Sequence, residues 1–312
     1  MPKVSVIIPV YNTEKYIEKS ARSLFGQTLE DIEFIFINDC TPDKSIDVLL
    51  SVLEEYPNRK SQVKIINNEV NKGQGEGRRI GVQAATGDYI IHCDSDDWIE
   101  PEMYEKLYSK AVEGNHDITI CRIDLIDEAG GIIHSNADNL TSTDDFLGAL
   151  LSIDIHHYLA NKLVRRSLYE GVHYPVYNVC EDLALIIQLA TNCRSYAVVD
   201  EKLYHYLIHA ASTSHQENSE KKIEMMKANV ELAIDSLREK NLYDKYIGGI
   251  RHLRRAVVKT YAQRLPRPYY KNLYREENFS YFFDKKLSFP EKMGHLTALL
   301  GIHGITKKFK TQ

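Results

Sequence analysis

Three carboxylates occupy four consecutive positions, Asp94-Ser95-Asp96-Asp97, directly after the short apolar run Tyr89–Cys93. Like charges this close together repel one another and lower stability unless a cation binds them. Mg²⁺ and Mn²⁺ prefer carboxylate and phosphate oxygens as ligands, so a divalent cation that bridges to a diphosphate suits this segment. A solvated acidic turn, with Asp97 as the cap of a following helix, explains the same residues equally well.

A glycine-rich segment, NKGQGEGRR, runs from Asn71 to Arg79. Glycine lets the backbone approach a ligand closely, and an arginine at a helix start can pair with phosphate through two hydrogen bonds. The segment lacks the GK[ST] ending of a phosphate loop, and a dinucleotide fingerprint would directly follow the first strand, where the chain reads YNTEKY. We expect a polar loop over 67–77 and a helix over 79–85.

Two more clusters contain groups that could take part in chemistry. The pair Glu181-Asp182 precedes an apolar helical pattern, where acids are favoured by the helix dipole and often serve only as a cap. A carboxylate that faced a site could instead take a proton from an attacking hydroxyl. The position of His205 within a predicted strand favours a structural role. His209 lies just past that strand, where structure and ligand binding are equally plausible.

Short β-branched apolar runs alternate with amphipathic helical patterns over the first hundred residues. The predicted strands are Lys3–Val10, Glu33–Asn38, Val63–Ile66 and Tyr89–Cys93. This alternation predicts an open, mainly parallel α/β sheet, in which ligands bind at the carboxyl ends of the strands. Polar residues follow three of these strands, at Tyr11-Asn12, Asn38-Asp39 and 94–97, so we expect them to share one edge of the sheet.

Composition and charge limit the classes of protein that fit. The chain has 312 residues, 43% hydrophobic and 27% charged, which is typical of a soluble globular protein with one large domain and an appendage. Five scattered cysteines without a CxxC pair, no export signal and no apolar run near the ~20 residues of a membrane span favour the cytoplasm. We expect no nucleic-acid partner.

The order of the motifs is the most specific signal. SVIIPVYN, FINDCTPDKS, NKGQGEGRR, DSDDW, NKLVRRSLY and CED follow one another between Lys3 and Ser214, and this series resembles the family 2 glycosyltransferases of the GT-A fold. The resemblance implies a mostly parallel, Rossmann-like α/β sheet flanked by helices. It also implies a nucleotide-sugar-binding half at 1–100, an acceptor and catalytic half of the same domain at 101–215, and a helical C-terminal extension at 216–312.

The resemblance also implies how a nucleotide-diphospho-sugar donor binds. Pro9, Tyr11 and Asp39 would hold the nucleobase, with the tyrosine ring against uracil and the carboxylate accepting the imide hydrogen. Arg78 would contact the diphosphate, and Asp94 would lie near the ribose or the metal. The chain departs from the family pattern where INDCTPD replaces VDDGSTD and GRR replaces ARN, which leaves the base open and lets the second arginine share the role of the first.

Four further residues receive catalytic or metal-binding roles from the resemblance. Asp96 would bind Mn²⁺ or Mg²⁺ directly, and His209 would close over the diphosphate and the metal. Asp182 would be the base that deprotonates an acceptor hydroxyl, with Glu181 orienting the acceptor. The implied enzyme inverts the anomeric carbon of a UDP-sugar in one displacement and builds a surface polysaccharide or a lipid-linked oligosaccharide.

Two competing functions and one open question about the C-terminus accompany this hypothesis. A catalytically silent nucleotide-sugar-binding or scaffold protein would keep the fold and lose the chemistry, and the presence of Asp39, Asp96 and Asp182 argues against it. A nucleotidyltransferase usually has a basic glycine-rich loop after its first strand, where this chain reads YNTEKY. The chain has 20 basic against 11 acidic residues over 216–312, although its net charge is −5. The apolar segment Met293–Ile305 and the lysines after it either make peripheral contact with the inner face of the plasma membrane or pack against protein.

Overall fold

The computed structural model describes residues 2–135, 145–209, 220–261, 274–275, 279–283 and 288–300. Within these ranges nine strands form one sheet. The strands are β1 Val4–Val10, β2 Ile32–Asn38, β3 Val63–Asn67, β4 Tyr89–His92, β5 Trp98–Ile99, β6 Ile118–Asp127, β7 Ile132–Ser135, β8 Lys162–Arg165 and β9 Tyr196–Ile208. The α-helices are α1 Ile17–Phe25, α2 Ser45–Glu54, α3 Gln74–Ala84, α4 Met103–Glu113, α5 Phe146–Leu151, α6 Glu181–Asn192, α7 Glu220–Glu239, α8 Ile247–Tyr261 and α9 Phe289–Leu300.

The sheet has the strand order β3-β2-β1-β4-β8-β6-β9-β5, with β7 paired to β6. The strands β3, β2, β1 and β4 run parallel, as predicted for the first hundred residues. Antiparallel pairs begin where β4 meets β8 and continue from β8 to β6, whereas β6 and β9 are parallel again. The predicted α/β fold class is confirmed.

Hydrophobic cores cover both faces of the sheet. Because successive side chains of a strand point to opposite faces, Val6 and Ile8 of β1 pack in one core with α1, α2 and α4, whereas Ile7 packs in the other. That second core contains α5, α6 and buried residues of α7 such as Met226 and Val230. The first helix of the predicted extension therefore shares a core with the sheet that carries the site.

The helix after the glycine-rich segment begins earlier than the sequence predicts. The prediction of a loop through residue 77 is wrong, because α3 begins at Gln74 and includes both Gly75 and Gly77. Gly73 has a φ of +85°, and its carbonyl accepts from the Gly77 N–H at 2.9 Å, which closes the first turn. A Cβ at Gly81 would lie 2.3 Å from a side-chain carbon of Ile7, so glycine lets α3 pack closely on β1.

The C-terminal part of the chain is described only in pieces. The apolar pattern predicted over 293–305 corresponds to α9, and residues 301–312 with their lysines lie outside the described residues. No helix in the described ranges is both long and apolar enough to span a bilayer. The boundaries proposed at 100 and 215 stay predictions.

Candidate active site

The parallel strands bring the predicted donor-site residues to one edge of the sheet. Val10 of β1 is in register with Asn38 of β2, and the polar residues that follow both strands therefore lie side by side. Tyr11 is 48% exposed at this edge, whereas Asp39 is buried. Pro9 lies in β1 beneath α3, where a Cβ added to Gly77 would be 3.6 Å from the Cβ of the proline.

The Asp39 carboxylate organises the segment that follows β3. It accepts hydrogen bonds from the Asn68 side chain at 2.9 Å, from the Lys72 N–H at 2.8 Å and from the Gly73 N–H at 2.7 Å. A carboxylate offers about four acceptor positions, so capacity remains for a ligand. Sequence reasoning missed this structural role, because the three donors lie about thirty residues further along the chain.

The glycines of the glycine-rich segment allow close contact with another part of the chain, and not only with a ligand. A Cβ at Gly73 would lie 2.2 Å from the side-chain nitrogen of Asn178, and one at Gly75 would lie 3.0 Å from the Pro175 carbonyl oxygen. The Gly75 N–H donates to Oδ1 of Asn178 at 3.2 Å. The loop before α6 therefore lies directly against the start of α3, a contact that no local pattern in the sequence indicates.

Arg78 connects the acidic pair of α6 to the donor edge, the edge of the sheet where the predicted donor-site residues Asp39 and Asp94 lie. Its side chain is 2% exposed, and its Nη2 lies 3.2 Å from Oδ1 of Asp94 and 3.1 Å from Oδ1 of Asp182. Burial alone would lower the pKa of the guanidinium, but the carboxylates of Asp182 and Asp94 raise it further than burial lowers it. Arg79 instead lies on the helix surface in an ion pair with Glu76, so the structure separates the two arginines that the sequence left open.

Asp97 is neither exposed to a ligand nor the cap of a helix. It is fully buried, accepts from the Tyr204 hydroxyl at 2.5 Å, and accepts from the Leu207 N–H at 2.8 Å. Burial, and then the neighbouring carboxylates of Asp96 and Asp94, raise its pKa well above the usual range. The residue ties the acidic turn to β9, which excludes the helix-cap interpretation.

Asp96 and His209 form the pair that best suits a divalent cation. Oδ2 of Asp96 lies 2.9 Å from Nε2 of His209, and the carboxylate side chain is 26% exposed. The histidine ring is buried against the Tyr16 ring at 4.5 Å between centroids. Burial and the Asp94 charge raise the pKa of Asp96, opposed by the histidine, so a bound cation would relieve the cost of ionising this carboxyl group.

Oxygen and imidazole donors fit Mn²⁺ or Mg²⁺. Over the described ranges, no three His, Cys, Asp or Glu side chains form a metal-binding cluster. Asp96 and His209 would hold such a cation, and a bound diphosphate would supply oxygen ligands as well.

The acidic pair lies in the first turn of α6, and Asp182 points toward the donor edge. Cys180 precedes the helix with a φ of +58°, and its side chain makes no capping hydrogen bond. Burial, and then the Asp182 charge, raise the pKa of Glu181 to about 7, with Arg78 opposing the shift. The pKa of Asp182 is raised by burial, lowered by Arg78 and raised again by Asp94, and its carboxylate also lies 3.4 Å from the Leu159 N–H.

Sequence reasoning missed a buried lysine beside the acidic pair. Lys162 is fully buried, and its ammonium donates to the His156 carbonyl at 2.8 Å and the Tyr158 carbonyl at 2.7 Å. These bonds shape the loop that presents the Leu159 N–H to Asp182. Lys162 belongs to the motif NKLVRRSLY, but the sequence analysis assigned this lysine no role. His205 takes the expected structural position, stacked on Trp98.

Comparison with known sequences identifies the family of the chain. The family model described as Glycosyl transferase family 2 matches residues 5–172. The chain is 34% identical over 254 residues to EpsH of Bacillus subtilis (strain 168), which is named as a glycosyltransferase, and the match covers 78% of this chain and 72% of EpsH. It is 26% identical over 84% of its length to the minor teichoic acid biosynthesis protein GgaB of the same organism, of which it covers 27%.

Solved structures share the fold at low identity. Staphylococcus aureus TarS 1–349 in complex with UDP has a TM-score of 0.62 and 20% identity, covering 96% of this chain and 80% of that one. The mannosyltransferase PcManGT of Pyrobaculum calidifontis, in complex with GDP-Man and Mn²⁺, has a TM-score of 0.54 and 12% identity, covering 99% and 83%. At these identities the likeness concerns the fold.

Proposed function

The chain belongs to glycosyltransferase family 2, and from that premise we propose that it transfers a sugar from a UDP-sugar to an acceptor hydroxyl with inversion of the anomeric carbon. The observation that carries the proposal is the position of Arg78 between Asp94 and Asp182. One guanidinium thus connects the acids of the proposed donor site with the acid proposed as base. Asp94 and Asp182 both lie within 3.2 Å of the same guanidinium nitrogen, so the proposed donor and acceptor groups are close neighbours.

The nucleotide would bind at the ends of β1 and β2. The exposed ring of Tyr11 offers an aromatic face for a base, with Pro9 beneath the site and the remaining acceptor capacity of Asp39 for an imide N–H. A pyrimidine with an imide hydrogen, as in UDP, fits this set of groups. TarS in complex with UDP is an example of a protein of this fold that binds this nucleotide.

Asp96 and His209 would hold Mn²⁺ or Mg²⁺, completed by diphosphate oxygens. When bound, the cation would neutralise charge that develops on the leaving nucleoside diphosphate. Asp94 would lie near the ribose or the cation. Arg78 would contribute positive charge beside the diphosphate, although its deep burial indicates that its main contacts are the two carboxylates.

Asp182 would take the proton of the acceptor hydroxyl as the oxygen attacks the anomeric carbon. Its pKa is raised by burial and held down by Arg78, which suits a group that must be ionised and still be basic. Glu181, with a pKa of about 7, would orient the acceptor through a hydrogen bond. Direct displacement by the acceptor oxygen needs no covalent intermediate, so the configuration inverts.

We infer that the acceptor is a saccharide, free or lipid-linked, in cell-surface polysaccharide synthesis, as the name of the relative GgaB suggests for that protein.

Helix α9 supports peripheral contact with the inner face of the membrane. Phe289, Met293 and Leu300 are all exposed and lie within about 40° of one another at 100° per residue. Sedimentation with anionic vesicles tests this contact, and equal binding to neutral vesicles would remove the role of the basic residues.

Calorimetric titration with UDP, with and without Mn²⁺, tests the donor site, with GDP alongside. We expect metal-dependent binding of UDP in preference to GDP. Asp96→Ala should remove the metal-dependent part, while Asp31→Ala, which changes an exposed aspartate paired with Lys3, should not. If neither nucleotide binds in either condition, the donor site is wrong and a silent scaffold becomes the better hypothesis.

A further inference from the structure

A buried asparagine of α7 contacts the loop that precedes the acidic pair. Asn229 is 2% exposed, and its side-chain nitrogen donates to the Tyr177 carbonyl at 2.8 Å and to the Val179 carbonyl at 2.8 Å. An amide nitrogen carries two hydrogens, so both are used. The asparagine lies well beyond residues 5–172, which the family model matches.

The residue between these two carbonyls contacts the glycine-rich segment. Oδ1 of Asn178 accepts from the Gly75 N–H at 3.2 Å, and a Cβ at Gly73 would overlap the Asn178 amide. The Gly73 N–H in turn donates to Asp39 at 2.7 Å. A continuous series of contacts therefore runs from Asn229 through the loop to the edge proposed to bind the nucleotide.

The same loop ends at the acidic pair. Cys180 has a φ of +58°, a left-handed conformation that is unfavourable for a non-glycine residue. Such a conformation persists only where the surrounding structure holds it. The hydrogen bond to the Val179 carbonyl lies immediately before this residue, so it fixes the backbone from which Glu181 and Asp182 extend.

We propose that Asn229 is a positioning residue for the donor site. Its amide holds the loop of residues 175–180, and this loop orders both the glycine-rich segment and the first turn of α6. Asn229 acts through Asn178 rather than by touching a ligand. The proposal rests on the proposed function only in naming UDP as the ligand.

The test uses the full chain with Asn229→Leu, which removes both donors at similar volume. Two lost hydrogen bonds leave carbonyls without partners, so we expect backbone hydrogen exchange over residues 72–79 to accelerate about tenfold. UDP affinity should fall by about tenfold for the same reason. Ser236→Ala is the matched control, because this buried hydroxyl of α7 donates only within its own helix, to the Ala233 carbonyl.

Two outcomes would overturn the proposal. One is unchanged exchange over residues 72–79, and the other is a uniform increase along the whole chain, which reflects global destabilisation alone. A double-mutant cycle with Asn178→Ala provides a second test. If Asn229 acts through Asn178, the losses of UDP affinity from the two substitutions should be less than additive, and fully additive losses would exclude that route. If the unmodified chain binds no UDP, the proposed function fails while the exchange measurement still decides the role of Asn229.

Discussion

The two acidic clusters of this protein both contact Arg78, and their other carboxylates are stabilised in different ways. In the cluster after β4, Asp97 is fully buried and hydrogen-bonded to β9, while Asp96 keeps an exposed edge beside His209. In the pair that begins α6, Asp182 keeps an exposed edge and is compensated by an arginine from another helix. Apart from Asp94, which also contacts Arg78, each cluster thus combines a buried acid, Asp97 or Glu181, with a more exposed one, Asp96 or Asp182.

This difference shows that the hydrogen-bond partner of a carboxylate, rather than its place in a motif, determines whether it can bind a ligand or serves the fold. Asp96 and Asp97 are neighbours in the sequence, yet one faces a histidine and the other a tyrosine hydroxyl and a backbone N–H. Removing the reachable acid of either cluster should affect chemistry or binding. Removing Asp97 should affect folding, whereas removing Glu181, which we propose orients the acceptor, should also change how stability depends on pH.

The largest effect is expected from Asp182→Asn. The amide keeps the shape of the side chain but cannot accept the acceptor proton, so turnover should fall about 100- to 10,000-fold. UDP affinity should stay within about twofold, because the substitution leaves the proposed nucleotide contacts in place. Donor turnover and calorimetry on one preparation measure both quantities, and Asp31→Asn at the exposed Lys3 pair is the control. Near-normal turnover would rule out Asp182 as the base.

Asp97→Ala should show the opposite behaviour. It leaves the Tyr204 hydroxyl and the Leu207 N–H buried without their acceptor, which should lower the free energy of unfolding by about 3 kcal/mol. Urea denaturation measures this loss. At temperatures where the variant is folded, metal-dependent UDP binding should persist, in contrast to Asp96→Ala. A stable variant that cannot bind UDP would assign Asp97 to the metal site instead.

Glu181 should give the chain a pH-dependent stability. Its pKa is about 7 in the folded protein against 4.5 ordinarily, so between these values the folded state binds more protons than the unfolded state. The free energy of unfolding should therefore fall as the pH rises through this window, by on the order of 2 kcal/mol from this group.

Glu181→Gln removes that titration. The stability of the variant relative to the original chain should be greater at pH 8 than at pH 5, by the same order of 2 kcal/mol. Urea titrations at the two pH values measure the difference, with Glu170→Gln as the control at an exposed glutamate. A difference that does not change with pH would mean that Glu181 titrates normally.

The first hundred residues were the most predictable from sequence, for a physical reason. Buried parallel strands read as short β-branched runs, and polar residues directly after them must meet at one edge. The convergence of Asp39, Asp94 and Arg78 followed from this pattern together with the resemblance. The start of α3 was missed because three glycines in five residues, Gly73, Gly75 and Gly77, are typical of a loop. In the structure these glycines permit close packing of the start of α3 against neighbouring segments.

The remaining parts of the site depend on contacts between distant residues. Asn229 supports the loop that contains Asn178 across separations of 52 and 50 residues, at which no helical or strand periodicity operates. The loop that Lys162 supports contacts Asp182 across 23 residues. A buried polar residue shows in the sequence only its type. Its partner is decided by the packing of whole elements, so these positions could not be inferred from spacing.

One departure from the family pattern has a small and measurable consequence. Cys40 stands where many members have glycine, and its φ is +55°, a conformation that disfavours residues with a Cβ. Cys40→Gly should therefore raise the free energy of unfolding by up to about 1 kcal/mol, with no change in UDP affinity. Cys40→Ala is the matched control, because it removes the thiol and keeps the Cβ, so it should give no gain. Equal stabilisation by both variants would trace the effect to the thiol group, and the backbone conformation would then carry no measurable cost.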